Sequence, residues 1–205
     1  MNPTVPPPRL PLPGGGSAQW ASWYEEELGW ATVSAPGEPV LLCTGLRFDV
    51  LELPADAGRA VLRRVGPTGP VALQGELMRL LVAAGSAEEV PALLEWLEWG
   101  SVPLDLRAIG PGSLITAPAP PLAAPCGPSL AGGAAVWLRP PAPVNGRELP
   151  LPVFTGFGGA GREGRGAAPD LVRLLAAAAT ECHRARLIVN TALSKERQTQ
   201  PLAFS

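Results

Sequence analysis

Phe48-Asp49-Val50-Leu51-Glu52-Leu53-Pro54-Ala55-Asp56-Ala57-Gly58 decides how the rest of the chain is read. From Arg47 to Leu53 the residues are almost continuously apolar around two carboxylates, Asp49 and Glu52, which reads as a strand. Side chains alternate along a strand, so residues three apart face opposite sides, and Asp49 cannot stand in for Glu52. Pro54 suits the first turn of a helix, where its missing N–H is no loss, and that helix is expected to run to about Val65.

Upstream, Ser17 can cap a helix ending near Leu28, with Trp20, Trp23, Tyr24 and Glu27 on one face and Gly29 as its stop. Trp30 to Ser34 and Val40 to Thr44 read as strands about a Pro36-Gly37 turn. Downstream, Val71 to Leu73 and Leu77 to Val82 form a strand pair about Gln74-Gly75-Glu76. Ser86 and Glu89 stand at capping-box spacing, and the helix they open carries Val90, Leu93, Leu94 and Leu97 as a stripe. Val102 to Ala108, Ser113 to Ala117 and Ala134 to Leu138 are expected strands. Pro169 is expected to start a long helix through Leu187 or beyond. Helices interspersed with strands in this order pack most simply as an α+β domain, a mixed β-sheet flanked by helices.

The segment Leu104-Asp105-Leu106-Arg107-Ala108-Ile109-Gly110-Pro111-Gly112 places an acid between apolar residues at a strand end, with a glycine turn after it. Such a layout can hold one carboxylate at a sheet edge beside backbone that approaches a ligand closely.

At 205 residues and 46% hydrophobic content the chain fits one domain with tails: residues 1–17 a Pro/Gly-rich disordered tail, 18–191 the domain, 192–205 a frayed end. Pro/Gly-rich loops are expected at 118–133 and 139–167. The glycine tract 156–166 lacks the lysine and hydroxyl of a phosphate loop and reads as a linker. A net charge of −2 forces no nucleic-acid or membrane partner. Lys195 is the only lysine, and with 26 prolines and 24 glycines this is the bias of a GC-rich genome such as an actinobacterial one. Cys43, Cys126 and Cys182 lie far apart, as reduced cytoplasmic thiols do. No run reaches the ~18 apolar residues of a membrane span, and the prolines near the start do not suit a secretion signal.

Four places together resemble the bifunctional DNA primase/polymerase N-terminal family, a bacterial branch of the primase-polymerase fold. They are Glu27-Leu28-Gly29-Trp30-Ala31-Thr32-Val33 after the first helix, Phe48 to Gly58, Leu104 to Pro118, and Ala134-Ala135-Val136-Trp137-Leu138. The resemblance covers about residues 18 to 140. It implies a nucleotidyl transferase in which carboxylates share divalent cations, Mg or Mn. On that alignment Glu52 takes the first carboxylate position and Asp105 that of the third motif. Pro54 falls on the second carboxylate position and cannot ligate. Asp56, past the strand end, is a further acid for the same site.

The family's phosphate-contacting histidine corresponds to Met78 or a neighbour, whereas the only histidine here, His183, lies in the last helix. Arg79 and Arg107 are candidates for phosphate contact, each equally readable as a surface charge. Glu52 and Asp105 are likewise readable as caps or as partners of Arg47 and Arg107. The resemblance therefore implies a degenerate, non-catalytic member with no cofactor, associated with DNA or nucleotide or acting in regulation. An active transferase using Glu52, Asp56 and Asp105 is the first alternative. A regulator that binds a protein partner through Trp96 and Trp99, the proline-rich tail or the last helix is the second.

Overall fold

The computed structural model describes residues 17–66, 68–121, 134–141, 151–154 and 170–199, with side chains as far as Thr191. The expected N-terminal tail, the glycine tract and most of both expected loops lie outside these residues. The elements are α1 (Ser17–Leu28), β1 (Thr32–Val33), β2 (Leu41–Cys43), β3 (Phe48–Pro54), α2 (Ala55–Val65), β4 (Val71–Gln74), β5 (Leu77–Ala83), α3 (Ser86–Trp96), β6 (Arg107–Ile109), β7 (Leu114–Thr116), β8 (Ala135–Arg139) and α4 (Leu171–Thr199).

The class is α+β. In place of one mixed sheet there are two, in the orders β1-β2-β7 and β6-β3-β5-β4-β8, and every neighbouring pair in each is antiparallel. Within the larger sheet, β3-α2-β4-β5-α3-β6 is a split βαβ unit of the ferredoxin-like kind, with β5 inserted between β3 and β4. β8 adds an edge beside β4.

The near-continuous apolarity of β3 follows from its position, because the five-stranded sheet is covered on both sides. Leu51 and Leu53 turn to one side and join Val61 of α2, Val90 and Leu93 of α3, and Leu171, Leu174 and Leu175 of α4. Phe48 and Val50 turn to the other side and meet Trp23, Tyr24, Trp30, Leu42 and Ile115, from α1 and the small sheet. Glu52 shares the parity of Phe48 and Val50 and therefore faces the small sheet. Gly58 lets α2 lie close on β5: a Cβ there would come within 2.3 Å of the Met78 sulfur.

Several expectations are corrected. Pro54 is the last residue of β3 and the N-cap of α2, not its first turn. Ser86 does not cap α3: Gly85 is the N-cap, in a left-handed conformation, and no cap side chain bonds there. The α3 terminus is served from another element, as the Ala87 N–H donates to Asp49 Oδ2 at 2.9 Å. Val102 to Leu106 is not a strand; β6 begins only at Arg107. The last helix begins at Leu171, after Asp170, whose carboxylate accepts the Val172 N–H at 3.0 Å, and Pro169, expected to start it, lies outside the described residues. The helix then continues to Thr199, past the expected frayed start at 192. No glycine or proline interrupts the chain from Leu171 until Pro201.

Candidate functional site

β3 supplies the first candidate. Glu52 lies directly across from Arg79 of β5 and from Arg107 of β6. A residue's direct cross-strand neighbours project from the same face of a sheet, so these three side chains share one row. Arg79 Nε donates to Glu52 Oε2 at 2.8 Å, and both side chains are only 12% exposed. Arg79 Nη1 donates to Gln74 Oε1 at 2.6 Å, and Gln74 Nε2 reaches Thr116 Oγ1 at 3.4 Å. The network thus runs from β3 through β5 and β4 to β7, and stitches the large sheet to the small one. Arg107 is exposed on the far side of Glu52.

This geometry changes what each residue can do. The carboxylate best placed for a cation is already neutralised by a guanidinium that holds it at a charge-assisted hydrogen-bond distance. Replacing that partner by a divalent ion would require Arg79 to give up its bond to Glu52, with both side chains only 12% exposed. Met78, which the resemblance sets against that family's histidine, turns toward the helices and is fully buried. Its neighbour Arg79 is the residue on the Glu52 side.

The other two carboxylates are not brought to Glu52. Asp56 is in the first turn of α2, on the opposite side of the sheet, 88% exposed and paired with Arg59 at 2.7 Å. Asp105 is exposed in the bend before β6. Its segment is clamped to α4: Leu104 and Leu106 pack on the helix-side core, the Cys182 thiol donates to the Asp105 carbonyl, and Arg186 Nη1 donates to the Pro103 carbonyl at 2.8 Å. Among the described residues no three His, Cys, Asp or Glu side chains stand close enough to hold a metal ion.

The Gly110-Pro111-Gly112 turn has a packing role. Gly45, at φ +87°, lies against it so closely that a Cβ would come within 2.3 Å of the Pro111 Cα. The Thr44 hydroxyl donates to the carbonyls of Gly110 and Ser113, at 2.6 and 3.0 Å. The close backbone approach expected of that turn is to a neighbouring loop of the same chain.

Two buried carboxylates carry roles that the sequence does not announce. Asp49 is fully buried; its Oδ2 caps α3 while Oδ1 has no hydrogen-bond partner among the described residues. Glu181 of α4, 4% exposed, accepts from Arg64 of α2 at 2.6 Å and lies 3.5 Å from Arg184. The signal for Asp49 was present, as an acid at a helix-facing position of an apolar strand needs a donor beneath it. Glu181 carries no such local sign.

Of the aromatic candidates, Trp96 ends α3 and is 56% exposed, while Trp99 is half-buried with its ring 5.6 Å from that of His183. Burial pushes the Cys182 thiol up to about 12, with the charges of Asp105 and Glu181 adding to it. Burial also raises the Tyr24 phenol, against a smaller opposing effect of the Trp137 N–H that donates to it. Among the described residues no helix is long and apolar enough to cross a membrane. No family model, no curated protein and no solved structure matches the chain.

Proposed function

We propose that the chain is a primase-polymerase-like domain whose metal site has decayed, retained as a non-catalytic module that associates with DNA or nucleotide or regulates a partner. The observation that carries this reading is the Glu52–Arg79 pair, 2.8 Å apart with both side chains 12% exposed. The acid that would hold a cation and the base that would hold a phosphate neutralise each other. Two-metal transfer needs several oxygen ligands converging on ions a few Å apart, and Asp56 and Asp105 stand in other parts of the molecule. A contact with nucleic-acid phosphate falls instead to Arg107, the exposed cation in the same row.

Primer extension across a magnesium and manganese titration tests the proposal. The expected result is no templated product at any metal concentration. Robust extension that Asp105→Ala abolishes would overturn it and restore the active-transferase reading. The exposure of Trp96 favours a second reading, a protein-binding regulator. Specific retention of a partner lost in Trp96→Ala, without nucleic-acid retention, would separate that reading from the first.

A further inference from the structure

Two carboxylates of this chain stand between two arginines, and they are used differently. Glu181 takes both of its neighbours, Arg64 at 2.6 Å and Arg184 at 3.5 Å. Glu52 takes one. It lies directly across from Arg79 on one side and from Arg107 on the other, yet only Arg79 pairs with it, at 2.8 Å. Arg107 is exposed and, among the described residues, pairs with no acid, not even the exposed Asp105 two residues before it. The row therefore holds two guanidiniums and one carboxylate. That is a surplus of positive charge at the β6 edge of the sheet, on a chain whose formal net charge is −2.

β5 and β6 are the two neighbours of β3. Arg79 and Arg107 thus rise from strands roughly 10 Å apart, with Glu52 between their roots. Side chains of that length reach inward far enough for two guanidiniums to bracket one anion. A carboxylate fixed to β3 meets only one of them. A phosphate group carries more charge and more acceptor oxygens, and it is free to settle between the two. Arg79 does not depend on Glu52 alone for its place, because its Nη1 donates to Gln74 Oε1 at 2.6 Å. The guanidinium stays aimed when Glu52 withdraws, which lowers the cost of binding. Glu52 and Arg79 lie at the margin of solvent rather than in the apolar core, each 12% exposed. Withdrawal of Glu52 is a change of side-chain rotamer, not an opening of the sheets.

We propose that Glu52 is an internal stand-in for a phosphate group. It occupies the clamp formed by Arg79 and Arg107, and a phosphate group displaces it, taking Arg79 from it and engaging Arg107 as well. The proposal rests on the domain being associated with nucleotide or DNA, and adds how that site is regulated. Glu52 sets a threshold: chloride or a lone carboxylate gains too little to replace it, whereas an oligophosphate with several charges gains enough.

The test is calorimetric titration of the full chain with inorganic triphosphate, free of divalent metal and at constant ionic strength. Binding is expected to be saturable, and about tenfold or more tighter in Glu52→Gln than in the parent, because the internal competitor loses its charge while Arg79 keeps an acceptor. Adding Arg107→Ala to Glu52→Gln is expected to remove that gain. Asp105→Asn makes the same change of charge two residues from Arg107 and is expected to leave the parent affinity unchanged. The proposal is overturned if triphosphate fails to bind Glu52→Gln, if Asp105→Asn gains as much, or if the gain survives the loss of Arg107. Should Glu52→Gln not melt cooperatively, Arg107→Ala in the parent decides: lost binding supports the clamp, and intact binding overturns it. A parallel titration with a short single-stranded DNA names the source of the phosphate. A gain in Glu52→Gln for triphosphate alone supports a nucleotide site, and an equal gain for both supports one that also takes backbone phosphate. Primer extension separates the two readings: a templated product would overturn the non-catalytic one and leave the displacement of Glu52 standing, while a missing gain in Glu52→Gln would overturn only the displacement.

Discussion

β3 offers two carboxylates on opposite faces of one sheet, three residues apart, with different fates. Asp49 turns to the helices, is fully buried, and is met by one backbone N–H at the start of α3. Glu52 turns to the small sheet and is met by the guanidinium of Arg79. On the helix side a partial positive charge at a helix terminus is sufficient, because burial and the end of α3 coincide there. On the other side a full positive charge from the neighbouring strand takes that role. The same residue chemistry becomes a cap on one face and an ion pair on the other, according to which element covers it. Asp49 keeps one buried oxygen without a described partner, and Glu52 is held by Arg79.

The largest effect is expected where a half-buried charge loses its partner. Arg79→Ala leaves Glu52 without its Arg79 counter-ion and removes the Arg79 donor to Gln74 Oε1. The loss is expected to be about 3 kcal/mol, read from the shift of the urea midpoint at constant slope. Glu52→Leu combined with Arg79→Met is expected to restore most of that stability. If the single variant is as stable as the parent, the pair does not hold the two sheets together.

On the opposite face, Asp49→Ala removes the α3 cap and is expected to cost about 1–2 kcal/mol. Asp49→Asn keeps an acceptor for the Ala87 N–H and should cost less. An Asn variant that costs more than the Ala variant would contradict the cap assignment. The effect should be local, with faster amide exchange confined to the first turn of α3.

How much of this was legible depends on how local each signal is. The passage of β3 through Pro54 into α2, the turn at Gly75-Glu76 and the extent of α1 each lie within a dozen residues, and alternation, proline and glycine place them. The Ser86 capping box failed because a buried carboxylate from β3 reached the α3 terminus first. The expected strand from Val102 to Ala108 shortened to Arg107–Ile109 because Leu104, Leu106 and the Pro103 carbonyl dock on α4. The candidate residues were identified more readily than their partners. The sequence offers Arg47 and Arg107 to Glu52, but Arg79 takes it, because the β3–β5 register is a tertiary fact that no spacing in the sequence reveals.

The smallest expected effect again compares the faces, at alkaline pH. Cys182 lies in the helix-side core and Tyr24 in the other. Both groups are neutral when protonated and are held protonated by burial. Their contribution is therefore complete below the unfolded-state values, and for Cys182 it is lost as pH rises from about 9 through about 12. Melting temperature is expected to fall across that interval. Cys182→Ala should flatten the lower part of the fall, and Tyr24→Phe the part above about 10. A melting temperature that stays level to pH 11 in the parent would contradict the burial of both groups.

The central claim is that Arg79, and not a metal, satisfies Glu52. Calorimetric titration of the full chain with Mn²⁺ at neutral pH tests it most directly. No saturable site is expected, and the same trace for Glu52→Gln as for the parent. A stoichiometric Mn²⁺ site in the parent that disappears in Glu52→Gln would contradict it.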